Sequence, residues 1–506
     1  MSAKVETPVA AYEAMAAAWK LIDALLGGTR AMRAAGSTYL PQEPKEKDAK
    51  YSSRIARSVL YGGYSDAVDN LVARPFAKPL QLKGAEEIDE RLGRIELDAD
   101  REGTPLTDFA CKWLRDGINH GLSHVIVDYP AVKATPDLAA EANEDIRPYF
   151  VHVPATKLIG WRFARSPLSG RKELVKLRIL DSRTEPDGDF GERLVEVVKV
   201  YTKTQDLGVL YEEWVKPPDK SVFVFDPASM RQLVANGRPL MRIPLVPLYI
   251  GEKTGDLAAL PPLEGLAWLN LAHWQSSSDQ RNILRFARCG LLFGKSWGRD
   301  LADPGSGADP NSASSARELE IGPGAFTYAD DPQADLKYVE HSGKAIEAGR
   351  QDLLDLEEKM VQMGLSPLMR RTGSETATGR SIDEARATTD LQAWARALER
   401  AIERCFAIAA EWIGEVLPTD FSADVYEDWP LAARAAEDLR FLLDARKAGE
   451  ISRETFLSEV KRRGLLGASV DLDAEAERLD AEGPPLGAMG NPFGGGPRMP
   501  PIVPAA

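Results

Sequence analysis

Five histidines and three cysteines are the residues of this chain best suited to metal binding or nucleophilic chemistry. His120 and His124 stand four residues apart, which is the spacing of two zinc ligands on a helix. However, no glutamate follows His120, and Gly121 interrupts the helical pattern. Cys111 would need a base beside it to act as a nucleophile, and its aromatic neighbours favour packing instead. These residues therefore predict neither a metal site nor a nucleophilic centre.

The sequence also lacks a complete calcium loop and a nucleotide-binding P-loop. Asp98 and Asp100 begin a segment like a calcium loop, but Phe109 occupies the twelfth position, where such a loop requires a bidentate glutamate. We expect Thr104 to act instead at the N-cap of the helix that follows. The chain has no P-loop motif. The sequence thus predicts a protein that is not an enzyme and uses no cofactor.

Arginines in one short segment are the remaining candidates for a contact with phosphate. Arg370 and Arg371 lie within residues 366–379, which contain one proline and two glycines, and Arg380 follows directly. Such breakers predict a loop. Charged side chains on an exposed loop would explain these arginines equally well, so both interpretations stay open.

Two long amphipathic helices are predicted on either side of this loop. Apolar side chains recur at spacings of three, four and seven over residues 344–364, and at threes and fours over 381–414. This periodicity places one apolar stripe along each helix. No proline interrupts the second helix before Pro418, so at about 1.5 Å per residue it would extend for roughly 50 Å. Two such helices joined by a loop indicate a mechanical part rather than a catalytic pocket.

A third long helix is expected over residues 262–289, and its centre is polar almost all round. A helix of this kind usually bridges domains or contacts other chains. The segment that follows, 290–341, is expected to hold short strands over 291–293 and 336–339. Between them, residues 303–316 are rich in Gly, Ser, Pro and Asp and predict a loop.

The other segments predict a helical first part and a strand-rich middle. Helices are expected over 51–73, 105–121, 432–448 and 452–463, a buried strand over 124–130, a loop over 131–146, and several strands over 147–250. Two prolines confine the strand at 243–250 to a sheet edge. The tail, 481–506, is half Gly and Pro, which indicates disorder.

Composition limits the partners and the compartment. A net charge of −14 argues against tight binding of nucleic acid by phosphate neutralisation, although DNA could still slide past an acidic wall. An odd number of cysteines on apolar segments suggests a reducing compartment. We find no apolar run near 18 residues and no signal peptide, so we expect assembly in a cytosol without a membrane span.

The order and wording of these segments resemble those of tailed-phage portal proteins, from a branch once catalogued only as an uncharacterised phage domain. The resemblance runs colinearly from about residue 40 to about residue 465. The stretches that carry it are 39–41, 67–79, 121–130, 147–149, 159–161, 243–246, 261–282, 338–340, 364–366 and 376–378.

Portal proteins of this kind are twelve-fold rings at one capsid vertex, through which DNA is packaged and ejected. The resemblance therefore implies an α+β, mainly α, portal-type fold that assembles into a ring. It assigns 1–261 to a wing with a β-rich part at 147–250, 262–289 to a first stem helix, 290–341 to a clip, 342–364 to a second stem helix, 365–380 to a tunnel loop, 381–417 to a long wing helix, 418–480 to a crown and 481–506 to a disordered tail.

Two groups of site residues follow from this placement. The tunnel loop is expected to line the DNA channel with Met369, Arg370, Arg371, Thr372, Gly373, Ser374, Glu375, Thr376, Gly379 and Arg380. In the first stem helix, neighbouring subunits and channel water are expected to cover His273, Gln275, Ser277, Asp279 and Gln280. An acidic channel wall would repel DNA and lower its friction.

The resemblance also implies partners and a location. The partners are further copies of the chain in a dodecamer, double-stranded DNA, the terminase large subunit, a head–tail adaptor protein, the major capsid protein and a scaffold. The location is the virion, at a capsid vertex, after assembly in the bacterial host cytoplasm. One alternative is another helical structural or scaffolding protein of a virion, which would lack a central hole. A hydrolase or transferase is disfavoured because no acid and base pair is evident.

Overall fold

The computed structural model of the chain describes residues 4–130, 145–166, 170–218, 221–289, 291–295, 335–339, 343–368, 389–427 and 442–462, with the single residues 474 and 478. It has the α+β organisation that the sequence predicts, with helices and antiparallel strands in separate stretches. The chain divides into two compact units, Met1–Val425 and Tyr426–Ala506.

The α-helices form where apolar residues recur at helical spacing. They are α1 (Ala10–Leu26), α2 (Gly28–Ala35), α3 (Asp48–Arg57), α4 (Gly63–Ala73), α5 (Glu90–Leu97), α6 (Leu106–His120), α7 (Glu264–Cys289), α8 (Lys344–Leu365), α9 (Asp390–Ile413) and, in the second unit, α10 (Arg453–Arg462).

The strands pair antiparallel into two larger sheets and several small ribbons. A three-stranded sheet has the order β11 (Leu245–Tyr249), β2 (Leu122–Asp128), β3 (Tyr149–Val153). A five-stranded sheet follows chain order: β4 (Leu158–Arg165), β5 (Lys172–Asp187), β6 (Gly191–Thr204), β7 (Gly208–Val215) and β8 (Val224–Gln232). The ribbons pair β1 (Gln81–Lys83) with β16 (Ser422–Asp424), β9 (Val234–Ala235) with β10 (Arg238–Pro239), β12 (Lys253–Gly255) with β13 (Ala258–Ala259), and β14 (Leu291–Lys295) with β15 (Asp335–Val339).

The core of the first unit lies around β2, the central strand of the three-stranded sheet. Phe150 on β3 packs against Phe109 of α6 and Phe406 of α9, with ring centroids 6.0 and 5.6 Å apart. The Trp412 indole N–H of α9 donates a hydrogen bond to the Val127 carbonyl at 2.9 Å. Helices α6 and α9 therefore both pack against this sheet.

The turn from α6 into β2 requires glycine. Gly121 ends the helix with φ +84°, a left-handed conformation that other residues adopt only with strain. A Cβ atom there would also lie 2.5 Å from the Leu260 carbonyl oxygen. The predicted helix over 105–121 and the buried strand that follows it are both confirmed, and Gly121 makes the turn between them.

Most of the long elements are also confirmed. The predicted helices over 262–289, 344–364 and 452–463 correspond to α7, α8 and α10, and strands occupy much of 147–250. The proline-rich strand β11 lies at a sheet edge, as expected. The predicted loops at 131–146 and 303–316, the start of the helix at 432–448 and the tail at 481–506 fall wholly or mostly outside the described residues.

Two predicted helices are wrong in extent. The single helix expected over 51–73 is two helices, because the chain becomes extended at Ser58 before α4 begins at Gly63. The helix expected to start at residue 381 does not continue through Thr389, whose backbone is extended, with a ψ of 157°. Thr389 and Gln392 form a capping box that starts α9, so this helix is about 36 Å long at about 1.5 Å per residue.

Candidate functional site

The candidate site is the pair formed by α7 and α8, the two segments predicted to be stem helices. Three polar contacts show that the helices are antiparallel. His273 Nε2 lies 3.1 Å from Glu357 Oε1, Ser276 Oγ donates to Asp352 Oδ2 at 2.7 Å, and Gln280 Nε2 donates to the Ile346 carbonyl at 2.7 Å. As the residue number rises along α7, the residue number of the contacting partner on α8 falls.

Glycines allow the helices to approach closely. A Cβ atom on Gly349 would lie 2.2 Å from Gln280 Oε1, and one on Gly265 would lie 2.7 Å from Met363 Cε. On α8, a Cβ atom on Gly364 would lie 2.8 Å from the Cβ of Ala67 in α4. Larger residues at these positions would force the helices apart or displace their neighbours.

The other side of α7 is supported by the N-terminal part of the chain. Ser278 Oγ accepts a hydrogen bond from Ser58 Oγ at 2.9 Å, and Gln275 Nε2 donates to the Tyr39 carbonyl at 3.0 Å. Positions 275 and 278 are on the opposite side of the helix from positions 273, 276 and 280, since each residue advances about 100°. Helix α7 therefore lies between α8 and the region of α3.

Asn270 of α7 is fully buried and serves two backbone groups at the start of α4. Its Oδ1 accepts from the Tyr64 N–H at 2.9 Å, and its Nδ2 donates to the Tyr61 carbonyl at 2.9 Å. Helix starts leave backbone N–H groups without a partner in the helix, and Gly62, at the N-cap, has no side chain to accept one. Asn270 satisfies this need from a distant part of the chain.

The five predicted stem residues are all described. His273, Ser277 and Gln280 are buried, and Gln275 is partly buried. His273, Gln275 and Gln280 each have a hydrogen-bond partner in the same chain. These partners explain why α7 is polar on several sides. The Asp279 side chain stays 60% exposed. That these residues face a channel remains a prediction.

Most of the predicted tunnel loop, residues 369–380, lies outside the described residues. Helix α8 is followed by one turn of 3-10 helix, Ser366–Leu368, and the description resumes at Thr389. All ten predicted channel residues, from Met369 to Arg380, fall between these points. Their role therefore stays a prediction from the sequence.

A buried polar cluster that sequence reasoning missed lies at the end of α6. Asp116 accepts hydrogen bonds from His120 Nδ1 at 2.7 Å and from Ser123 Oγ at 2.6 Å. Ser123 in turn accepts from His152 Nε2 at 2.9 Å, and His120 Nε2 lies 3.0 Å from Asp23 Oδ1. The residue types are those of a serine hydrolase, but Ser123 is fully buried, so no substrate can reach its hydroxyl.

The cluster holds an ion pair. Burial would raise the pKa of Asp116, but hydrogen bonds from His120 and His152 and their charges outweigh it and hold the pKa well below its usual range. Burial would likewise lower the pKa of His120, but the carboxylates of Asp116 and Asp23 raise it to about 10. The four-residue spacing of Asp116 and His120 along α6 is the sequence signal that could have identified this pair.

The motifs considered for metal binding have structural roles instead. His124 lies on β2, where complete burial lowers its pKa to about 4. Asp98 accepts from the Gly103 N–H at 2.9 Å and pairs with the buried Arg147 at 2.8 Å. Among the residues that the structure describes, no group of three or more His, Cys, Asp or Glu side chains could hold a metal ion.

The predicted cap before α6 is wrong. The N-cap position is Pro105 rather than Thr104, and no side chain caps the helix. Proline is accepted at a helix start because the backbone N–H that it lacks would have no partner there. The described helices also include none that is both long and apolar enough to cross a membrane.

Residues 262–413, which include α7, α8 and α9, match a family described as "Domain of unknown function (DUF4055)". No curated protein matches significantly.

Three similar solved structures come from gene transfer agent (GTA) particles. They are the neck of an empty GTA particle computed with C6 symmetry, the virion of a native GTA particle, and the neck of the native particle computed with C12 symmetry. Each is 12% identical, with TM-scores of 0.41, 0.41 and 0.40; the matches cover 80, 85 and 80% of this chain and 90, 98 and 89% of those chains. Both identity and TM-score are low, so these likenesses alone establish neither a shared fold nor a shared role.

Proposed function

We propose that this protein is a portal protein, a ring at one capsid vertex through which double-stranded DNA is packaged and ejected. The observation that carries the proposal is the arrangement of α7 and α8. The two helices pack antiparallel along much of their length, and the chain between them begins and ends with the paired strands β14 and β15. This is the order of stem helix, clip and stem helix that the colinear resemblance implies.

The remaining segments fit the same order. After α8 the chain continues through residues 366–379, which are rich in helix-breaking residues, and then to α9, which packs on the three-stranded sheet. We assign residues 365–380 to the tunnel loop, the first 261 residues to the wing, and 418–480 to the crown. The alternative of a different virion scaffold does not explain why a breaker-rich loop separates α8 from α9.

In this role the protein acts as a ring and binds other proteins of the virion and the packaging machinery. The ring holds twelve copies and acts without chemical turnover, while the terminase large subunit drives DNA through it. A head–tail adaptor docks later at the clip, residues 290–341, and the major capsid protein and scaffold surround the ring during assembly in the host cytoplasm. The net charge of −14 suits a conduit, since an acidic wall repels phosphate and does not retain the DNA.

The tunnel loop gives the first prediction. Replacing Gly373 and Gly379 together by proline should leave ring assembly intact but strongly reduce packaged DNA, because proline removes the backbone freedom that a moving loop needs. The measurement is the DNA content per purified particle. A matched control places two prolines at Gly490 and Gly494, in the tail that is predicted to be disordered, and should package normally. Normal packaging by the tunnel-loop variant would contradict the assignment.

A further inference from the structure

A basic cleft lies between α3 and α7, on the side of α7 that faces away from α8. Its volume is about 610 Å³, and its lining includes Arg54, Arg57, Arg281, Arg285 and Leu284. We call it the arginine cleft. Arg281 and Arg285 are four residues apart, so they lie on the same face of α7.

Three of these four arginines have no carboxylate partner among the residues that the structure describes. Arg54 is only 5% exposed and pairs with Glu46 at 2.8 Å and with Asp279 at 3.4 Å. Arg57, Arg281 and Arg285 are exposed, and none forms an ion pair within the part of the chain that the structure describes. These three cations form a positively charged patch on a chain whose net charge is −14. Such a patch attracts an anionic partner.

An acidic surface lies on α8, on the side away from α7. Asp355 and Glu358 are three residues apart and exposed, and each accepts a hydrogen bond only from a glutamine of the same helix among the described contacts. Leu354 and Val361 beside them are 43 and 54% exposed. We call these four residues the acidic face.

The two surfaces point in opposite directions. On α8, positions 346, 349 and 357 contact α7, whereas positions 355 and 358 lie on the other side of the helix at about 100° per residue. The arginine cleft lies beyond α7, toward α3. One layer of three helices therefore carries cations on one side and carboxylates on the other.

We propose that the arginine cleft of one copy of this chain binds the acidic face of the next copy. Complementary surfaces on opposite sides of one subunit produce a head-to-tail contact, and such a contact closes into a ring when its rotation allows. The inference rests on the proposed function and deepens it, since it names the side chains that join neighbouring subunits.

The chemistry favours a protein partner over nucleic acid. Guanidinium groups bind carboxylates through two parallel hydrogen bonds, and two arginines four residues apart can meet two carboxylates three residues apart on a facing helix. Leu284 in the cleft and Leu354 and Val361 on the acidic face add apolar area, which a phosphate backbone would leave uncovered.

The test is a charge exchange in the full chain. One variant combines Arg281→Glu with Arg285→Glu, a second combines Asp355→Arg with Glu358→Arg, and a third carries all four changes. Each two-residue variant should lower the fraction of subunits in rings about tenfold or more, because like charges then meet in the contact. The third should restore most of it. Mass photometry at equal protein concentration measures the fraction.

A control separates this contact from general effects of charge. Arg162→Glu with Arg238→Glu makes the same change on exposed strands β4 and β10 and should leave the rings unchanged. Circular dichroism should show that every variant folds. Unchanged rings in either two-residue variant, or no recovery in the four-residue variant, would overturn the pairing. Absence of rings in the unchanged chain would instead contradict the proposed function.

Discussion

Replacing Asp116 by asparagine should lower the free energy of unfolding by about 3 kcal/mol, which is the cost expected when one partner of a buried ion pair is removed. The Asp116 carboxylate accepts from His120 and Ser123, and also from the Ala155 N–H at 3.2 Å. An asparagine has one acceptor oxygen, so its amide group would have to face at least one of these donors. Urea unfolding followed by tryptophan fluorescence measures the loss.

The same substitution should change how stability depends on pH. The pKa of His120 is raised from 6.5 to about 10 in the folded chain, so its contribution is fully present below pH 6.5 and is lost as pH rises toward 10. The pKa of Asp116 is lowered, so its contribution is present above its ordinary value of 3.8 and is lost at more acidic pH. Asp116→Asn should flatten the decline between pH 6.5 and 10.

The matched control is Asp69→Asn. Asp69 pairs with Arg115 at the surface, where its side chain is 58% exposed, and exposed ion pairs contribute about 1 kcal/mol or less. The control should therefore be nearly as stable as the unchanged chain at every pH. Equal losses in the two variants, or an unaltered pH dependence in Asp116→Asn, would show that the buried cluster does not stabilise the fold as described.

Replacing Asn270 by leucine should also destabilise the chain, by about 2–4 kcal/mol. Leucine has a similar size but leaves the buried Tyr64 N–H and the partly buried Tyr61 carbonyl without these partners, and each buried unpaired group costs about 1–3 kcal/mol. Because Asn270 joins α7 to α4, the loss should appear as faster hydrogen exchange at the start of α4. Urea unfolding and hydrogen exchange by mass spectrometry measure the two effects.

Asn70→Leu is the control for this second prediction. Asn70 lies on the exposed side of α4, and among the described residues its side chain donates only to the Asp66 carbonyl one turn earlier. The same substitution there should change stability by no more than about 0.5 kcal/mol. A similar small change for Asn270→Leu would mean that the contact between α7 and α4 tolerates the loss of both hydrogen bonds.

Local patterns predicted the elements that depend on local physics. The apolar periodicity of α7 and α8 and the glycine that ends α6 are properties of neighbouring residues, and these elements lie where the sequence placed them. The break between α3 and α4 was missed because Ser58 bonds to Ser278, 220 residues away. The start of α9 could have been found, since Thr389 and Gln392 have capping-box spacing.

The partners of polar residues could not be predicted in the same way. The polar centre of α7 indicated contact with other groups, but nothing local identified Tyr39, Ile346 or Glu357 as those groups. The cluster at Asp116 likewise depends on Asp23 and His152, which only the tertiary fold brings to the end of α6. The colinear resemblance supplied the functional hypothesis, while the residue-level contacts required the structure.

Electron microscopy of the purified, assembled protein tests the central claim most directly. The account predicts closed rings of twelve subunits with an open central channel, and with α7 and α8 of each subunit side by side along the ring. Particles that are only monomers at micromolar concentration and in virions, or compact helical assemblies without a central hole, would contradict it.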